Sequence, residues 1–527
     1  MSLVRAVILA AGEGTRMKSE LPKVLHPICG RPMVAYALHL AAAAGVKQPI
    51  VVIGHGAEAV KAVLPKEVKV VVQSKQQGTG DAVLAIKRSL GGLGGDLLIL
   101  YADTPLLRRT TVQHLIESHR KNNATCTLLT THLADPSGYG RIVREPAGQI
   151  IGVLEESEAN ASQRAIREIN VGPLICKTQA LFDALAVVKP TGSKQELFLT
   201  HVIAHLARQE GAKIHSIRVE ETSEALGINS RAELARAIAI VRERLTETHL
   251  RNGVTIEDPQ STYIEQGVTI GVDTIIRPFT VIETGVAIGR RCRVGPFARL
   301  RSGVAIGDGA RIGNFAELVR TKVGSDVRIN HVSYLGDATV EEGANIGAGT
   351  ITANYDSTAK HPTRIGKKAF IGCDTILIAP VSVGPGAVTG AGSVLTRTHD
   401  VPANTLVMGV PARPAPAGRG GTRPAATNKS RTRLAAAPSK DGSSGRAAAR
   451  VDGRPRGADM PSRRRVSSVT AAKPSRRRPA KPARPSRPRR VAGRGRMAKP
   501  PAKKARPVRR AARRPVRKRL ARAKSRR

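Results

Sequence analysis

Apolar residues stand at every sixth position from Ile264 to Leu318: Ile264, Ile270, Ile276, Ile282, Ile288, Val294, Leu300, Ile306, Ile312 and Leu318. A helix repeats about every 3.6 residues and a half-buried strand at every second one, so a sustained period of six belongs to neither. It predicts a stacked repeat, a parallel β-helix in which each coil has three short flat faces, one inward apolar side chain per face and small residues at the corners. Gly271, Gly289, Gly295, Gly307 and Gly313 each follow an inward position. The register slips by one at Val323, continues through Ile329 and Leu335, and returns at Ile365, Ile371, Leu377 and Val383. Residues 252–412 are read as one prism-shaped solenoid.

Upstream the pattern changes. Apolar runs at 6–10, 50–53, 68–72 and 97–101 alternate with amphipathic stretches such as 33–44, which predicts an α/β Rossmann-like domain over residues 1–229 with a mainly parallel sheet. Ligands of such a sheet belong at the carboxyl ends of its strands. Residues 231–246 place Ala, Ile and Leu among charges at helical spacing, predicting a connecting helix within a 230–251 linker, read as a spacer.

The charge divides the chain differently. From Arg419 to Arg527 there are 39 Lys and Arg against 3 acids, so this stretch holds +36 of the formal +46. With almost no large apolar residue, 413–527 cannot offset the entropy of ordering, and it is read as a disordered Arg/Ala/Pro-rich tail. Such a polycation suits non-specific polyanions, nucleic acid or an anionic surface; an appendage without a partner is the plainer alternative. The five cysteines are far apart with no CxxC spacing, which points to a reducing, cytoplasmic setting. The apolar opening 4–11 runs straight into Gly-Glu-Gly-Thr-Arg and reads as a buried strand, not a signal peptide.

Candidate chemistry follows the strand ends. After the first strand come Leu9, Ala10, Ala11, Gly12, Glu13, Gly14, Thr15 and Arg16, then Lys23: glycines that let backbone N–H groups converge on an anion, with two cations for a polyphosphate. The third glycine of a dinucleotide fingerprint and the Lys-Ser/Thr of a P-loop are absent. Gln73 and the turn Gln77-Gly78-Thr79-Gly80 offer groups for a base edge, and Asp103 ends a strand over the same crevice, where Mg²⁺ could join phosphate oxygens. In the solenoid, the stretch from Asn330 to Asp337 carries His331, the side chain suited to take a proton from an amine near neutral pH.

These residues, with Gly138-Tyr139-Gly140-Arg141, Glu155, Asn170 and Asn229, resemble the bifunctional N-acetylglucosamine-1-phosphate uridylyltransferase and glucosamine-1-phosphate acetyltransferase family, in which a left-handed hexapeptide β-helix follows the nucleotidyltransferase domain. The resemblance covers 4–412. It implies that Leu9, Ala10, Ala11, Gly12, Gly14, Arg16 and Lys23 hold UTP, that Gln73, Gly78 and Thr79 read uracil, and that Asp103 and Asn229 bind Mg²⁺. Gly140, Glu155, Asn170 and Asn229 would contact N-acetylglucosamine 1-phosphate. In the β-helix it implies His331 as general base, Arg301, Tyr334 and Asn345 on glucosamine 1-phosphate, and Asn354, Tyr355, Cys373 and Ala391 along acetyl-CoA between subunits of a homotrimer. Departures from the family pattern are Ala102 for Gly, Ser157 and Val319 for Lys, Cys373 for Ser, and the ending Gly409-Val410-Pro411-Ala412. The competing readings are a nucleotidyltransferase with a structural or differently acylating β-helix, and a trimeric scaffold presenting basic tails.

Overall fold

The computed structural model describes residues 3–191, 195–397 and 399–415, all within one compact unit. The disorder expected of the tail lies outside the described residues from 416 onward.

The apolar runs become the middle of a sheet ordered Ile214–Arg218, Cys126–His132, Glu168–Lys177, Asp96–Tyr101, Val4–Ala10, Ile50–Ile53, Lys69–Val72. Neighbours pair in parallel except at Glu168–Lys177, which is antiparallel to both of its neighbours. Side chains alternate across the sheet, so both faces are apolar. Val7, Leu9, Val52 and Ile99 pack toward Phe182, Leu185 and Leu206, whereas Ile8, Ala10, Val51 and Leu100 pack toward Leu40 and Leu115. Burial from both sides fixes the strands, and their carboxyl ends become rigid mounts for the loops that follow.

The expected spacer helix runs over Arg231–Arg251 and joins the two halves by direct contact. Ser230 and Glu233 form a capping box at its start. Leu234, Ala237 and Val241 share a core with Met17, Ile28, Met33 and Leu106. Next to Val241, the Arg242 guanidinium lies 3.6 Å from the centre of the Tyr263 ring and donates to the carbonyls of Gln260 (2.7 Å) and Thr262 (3.2 Å). A spacer would leave these apolar positions wet; here burying each large one contributes about 1.5–3 kcal/mol.

The period of six is the inward row of the prism. Each named position from Ile264 to Val383 is buried except Ile270, which is half-buried. Ladder partners lie eighteen residues apart in the first coils (Ile276 with Val294), seventeen across the register slip (Leu318 with Leu335) and twenty-five where a loop is inserted (Ile346 with Ile371). A second inward row, two residues before the first, carries Thr262, Thr274, Thr280, Cys292, Ala298, Ala310 and Ala316, all buried. Its hydroxyls are satisfied by carbonyls of the coil, as Thr274 is by Gly289 at 2.8 Å and Thr280 by Arg277 at 2.7 Å. Outside, Phe279, Phe297 and Phe315 stack along one corner with centroids 4.8 and 5.2 Å apart, and each remains about half exposed.

Candidate active sites

A cleft of about 260 Å³ opens at the carboxyl ends of Val4–Ala10 and Asp96–Tyr101. Leu9, Ala10, Ala11, Gly12, Lys23, Gln73, Gly78, Thr79 and Asp103 line it, as the strand-end argument requires, together with Gln76, Tyr101, Glu196 and Phe198, which no sequence signal marked. Gly14 stands at φ +66°, where a Cβ would come within 2.7 Å of Lys23 Cβ, so its lack of a side chain lets the lysine stem cross close by. Arg16 is exposed beside Glu233 and does not line the cleft.

Lys23 carries its ammonium to the centre of the site. Its Nζ donates to Asp103 Oδ2 at 2.6 Å and to Asn229 Oδ1 at 3.1 Å, although Asn229 lies 206 positions away in sequence. Asn229 is fixed by its own N–H on Glu233 (2.7 Å) and by the N–H of Ile228 on the carbonyl of Asp103 (2.8 Å). Two oxygens that already share one cation, a carboxylate and an amide, match the few protein ligands Mg²⁺ takes when phosphates and water complete its shell.

The base-side wall is zipped shut by the backbone. Gly78 sits at φ +100°, Gly80 N–H donates to Leu197 O (2.8 Å), Leu197 N–H to Gln77 O (2.8 Å), and Thr79 Oγ1 accepts from Leu199 N–H (3.0 Å). The Gln73 amide N–H₂ is spent on Asp81 (2.7 Å) and Gly78 O (3.2 Å), so this buried residue braces the turn with its donors. Beyond Tyr101 lie Glu155, whose Oε1 accepts from Thr200 (2.7 Å), and Asn170, whose N–H donates to Gly140 O (2.9 Å). Burial, then the carboxylates of Glu155 and Asp103, push the Tyr101 phenol above its usual range, so it stays protonated as a donor. Arg141, 1% exposed, ties the Gly138–Arg141 turn to Arg164 O and to Glu156 at 3.0 Å.

In the prism the expected acetyl-transfer residues fall on two faces. His331 is exposed, and its Nδ1 lies 3.0 Å from Asn314 Oδ1. An oxygen acceptor there puts the proton on Nδ1 and leaves the Nε2 lone pair free. Asn345 shares this face as the ladder partner of Arg328. Arg301 and Tyr334 belong to the next face, where Arg301 pairs with Glu317 at 3.3 Å. Asn354 is buried and donates to Asp337 Oδ2 at 2.5 Å; Asp337 also grips Arg320 through both oxygens, at 2.6 and 2.7 Å. Tyr355 is exposed on the inserted loop, its hydroxyl on Ser357 O (2.6 Å). Cys373 and Ala391 continue the row of His331: Asp374 N–H donates to Ala348 O and Gly392 N–H to Cys373 O, one coil to the next.

Comparison with known proteins accords with this division. Residues 6–208 match the model of the MobA-like NTP transferase domain, 285–320 that of the bacterial transferase hexapeptide, and 362–397 that of the hexapeptide repeat of succinyl-transferase. The bifunctional protein GlmU of Brevibacillus brevis is 41% identical over 441 residues, covering 77% of this chain and 95% of that protein. GlmU of Syntrophotalea carbinolica is 43% identical over 438 residues, covering 76% and 94%. The chain belongs to the bifunctional GlmU family. It is a transferase of UDP-N-acetylglucosamine synthesis that acetylates glucosamine 1-phosphate from acetyl-CoA and transfers uridylyl from UTP to N-acetylglucosamine 1-phosphate. A solved UDP-glucose pyrophosphorylase complexed with UDP-glucose overlays 46% of the chain at 18% identity and TM-score 0.38, too loosely to carry an argument.

Of the departures from the GlmU pattern, Ala102 is fully buried in the core with its N–H on Leu9 O at 3.0 Å, so the added methyl is packed. Val319 is buried as well, and Arg320 after it turns outward at φ +48° onto Asp337. A cation therefore stands beside Tyr334 and Asn354 without replacing Val319.

Proposed function

We propose that uridylyl transfer takes place in the cleft around Lys23, and acetyl transfer at His331 on the prism. The observation that carries the first assignment is the convergence of Asp103, Asn229 and Lys23 on one point. Asp103 and Asn229 would hold Mg²⁺, which supplies charge neutralisation and alignment for two phosphate groups. Lys23 would then turn to the UTP phosphates lying along residues 9–14, and the 77–79 turn with Gln73 would flank the uracil. Glu155, Asn170 and Gly140, next to Tyr101, would receive the sugar. The phosphate oxygen of N-acetylglucosamine 1-phosphate attacks the α-phosphorus and pyrophosphate leaves; a phosphate nucleophile needs no base, so alignment carries the rate.

At the prism, His331 Nε2 takes a proton as the amine of glucosamine 1-phosphate attacks the thioester of acetyl-CoA and the coenzyme leaves as thiol. The row from His331 to Ala391 is a straight track for the coenzyme arm. Because Tyr334 and Arg301 lie on another face, one chain does not close around a small sugar, and a second copy laid against the exposed Phe279–Phe297–Phe315 ridge would complete the site. This supports the homotrimer. Among the described residues no helix is long and apolar enough to cross a membrane. The basic tail would add non-specific polyanion binding, visible as a salt-sensitive nucleic-acid shift lost on removal of 413–527.

The test uses the full chain with glucosamine 1-phosphate, acetyl-CoA, UTP and Mg²⁺, following free thiol and pyrophosphate separately. His331→Ala is expected to abolish thiol release while pyrophosphate still forms from pre-acetylated sugar phosphate; Asp103→Asn is expected to do the reverse. Loss of both products in either variant would break the assignment.

A further inference from the structure

The brace behind Gln73 fixes more than the shape of the cleft wall. Gln73 follows the strand Lys69–Val72, its N–H on Ile53 O at 2.8 Å, and the residue is 5% exposed. A side-chain amide carries an oxygen that accepts and an N–H₂ that donates, and the partners of one decide which of the two meets a ligand. Here the N–H₂ is held by Asp81 Oδ2 at 2.7 Å and by Gly78 O at 3.2 Å. Turning the amide over would set its oxygen against a carboxylate and a carbonyl, both acceptors, and forfeit a charge-assisted hydrogen bond. The oxygen of Gln73 is therefore the atom it offers to the cleft it lines.

Asp81 is itself placed by the fold. It lies in the first turn of the helix Thr79–Ala85, where the N–H groups of the helix start favour a carboxylate. Ala82 and Val83 beside it are buried in the core, and Gly80 N–H is tied to Leu197 O at 2.8 Å, so the turn is held on both sides of Asp81. Asp81 does not line the cleft, and it acts on a ligand there through Gln73.

We propose that Asp81 is a positioning residue for base choice in uridylyl transfer: it locks Gln73 as an acceptor, which suits the N3–H of uracil and opposes the bare N3 of cytosine. This rests on the reading of Gln73 as a uracil contact. Uracil and cytosine have the same size, so walls alone cannot separate them by shape. Uracil has its N3–H between two carbonyl oxygens, whereas cytosine has an unprotonated N3 beside its N4–H₂. A locked acceptor bonds the first and meets a lone pair on the second, and a site built around one hydrogen bond rejects the analogue that cannot make it. A methyl at C5 leaves N3–H in place, so this device is blind to it.

The test is pyrophosphate release by the full chain with N-acetylglucosamine 1-phosphate, Mg²⁺ and, in turn, UTP, 5-methyl-UTP or CTP. Wild-type protein is expected to favour UTP over CTP by at least about 100-fold in kcat/KM. Asp81→Ala frees the amide to turn, and the CTP-to-UTP ratio of kcat/KM rises roughly 10- to 100-fold, the equivalent of one charge-assisted hydrogen bond. The 5-methyl-UTP-to-UTP ratio and thiol release at the prism stay within about threefold. Asp81→Asn keeps an oxygen acceptor and gives a smaller rise. A merely structural role for Asp81 lowers all three nucleotides alike, so an unchanged CTP-to-UTP ratio overturns the proposal, as does a wild-type protein that takes both bases equally. Where a variant turns over too slowly, calorimetric titration with the three nucleotides reads the same ratios. Gln73→Met separates the two levels. If it leaves the constants for UTP and CTP unchanged, Gln73 is not the base contact and the reading beneath the proposal fails; if it alters their ratio while Asp81→Ala does not, the role of Asp81 alone falls.

Discussion

Gly78→Ala puts the cleft wall under a load that can be worked out in advance. Gly78 has φ +100° and ψ 174°, a region open essentially to glycine, which costs another residue about 1–3 kcal/mol. The new Cβ would also stand 2.5 Å from Leu197 O and 2.9 Å from Leu197 C and N. These are backbone atoms and cannot rotate away, so the 197 segment must retreat and strain the Gly80–Leu197 and Leu197–Gln77 hydrogen bonds, each worth about 1 kcal/mol. The sum is roughly 2–4 kcal/mol. For a domain of about 200 residues this lowers the melting temperature by about 4–16 °C. Glu196 and Phe198 line the cleft and move with Leu197, so KM for UTP should rise about tenfold or more while acetyl transfer, on the prism of the same chain, is unchanged. Calorimetric melting and the two product assays check both parts. A melting temperature within about 1 °C of wild type would refute the steric argument. A lowered melting temperature with an unchanged KM for UTP would remove the 77–79 turn from the nucleotide site.

Asp103→Asn keeps the shape but removes the carboxylate, and uridylyl turnover should fall at least about 100-fold with a higher Mg²⁺ requirement, read from pyrophosphate release against Mg²⁺ concentration. Asn314→Ala removes the acceptor that fixes the His331 tautomer; thiol release should fall about 10- to 100-fold with pyrophosphate formation intact. Burial lowers the pKa of His119, outweighing the nearby Asp96, and burial likewise lowers that of His249. The unfolded chain then takes up these protons first, so stability is full above about pH 6.5 and declines as pH falls through that value. Urea melts from pH 8 to 5.5 should show the decline, and His119→Asn should flatten it.

The inward row of the prism was legible because Ile, Val and Leu at a fixed spacing need no context. The companion row was not, since Thr274, Cys292 and Ala298 share only small size, and their hydroxyl and thiol partners are created by the next coil. In the first domain, the glycine turns and strand-end Asp103 announced the cleft from local pattern. Lys23 bridging to Asn229 and the wall formed by Glu196 and Phe198 depend on segments far apart in sequence, which no local spacing encodes. Arg141 was visible as part of a turn, but its burial against Arg164 and Glu156 follows from the segment after its own hairpin folding back over it.

The contact between Arg231–Arg251 and the first coil reaches beyond the joining of two halves. A parallel β-helix ends in unpaired N–H and C=O groups, a template onto which another chain can add strands. Here the helix packs against Thr255–Ile256 and Tyr263–Ile264, the Val254 N–H is returned to His249 O at 3.1 Å, and Arg242 occupies the Gln260 and Thr262 carbonyls. The helix therefore acts as a stopper against end-to-end aggregation. A fragment cut at residue 252 would expose that raw end, whereas one beginning at Ser230 would keep it covered and bare Leu234, Ala237 and Val241 instead, so the place of the cut decides which surface an isolated prism exposes.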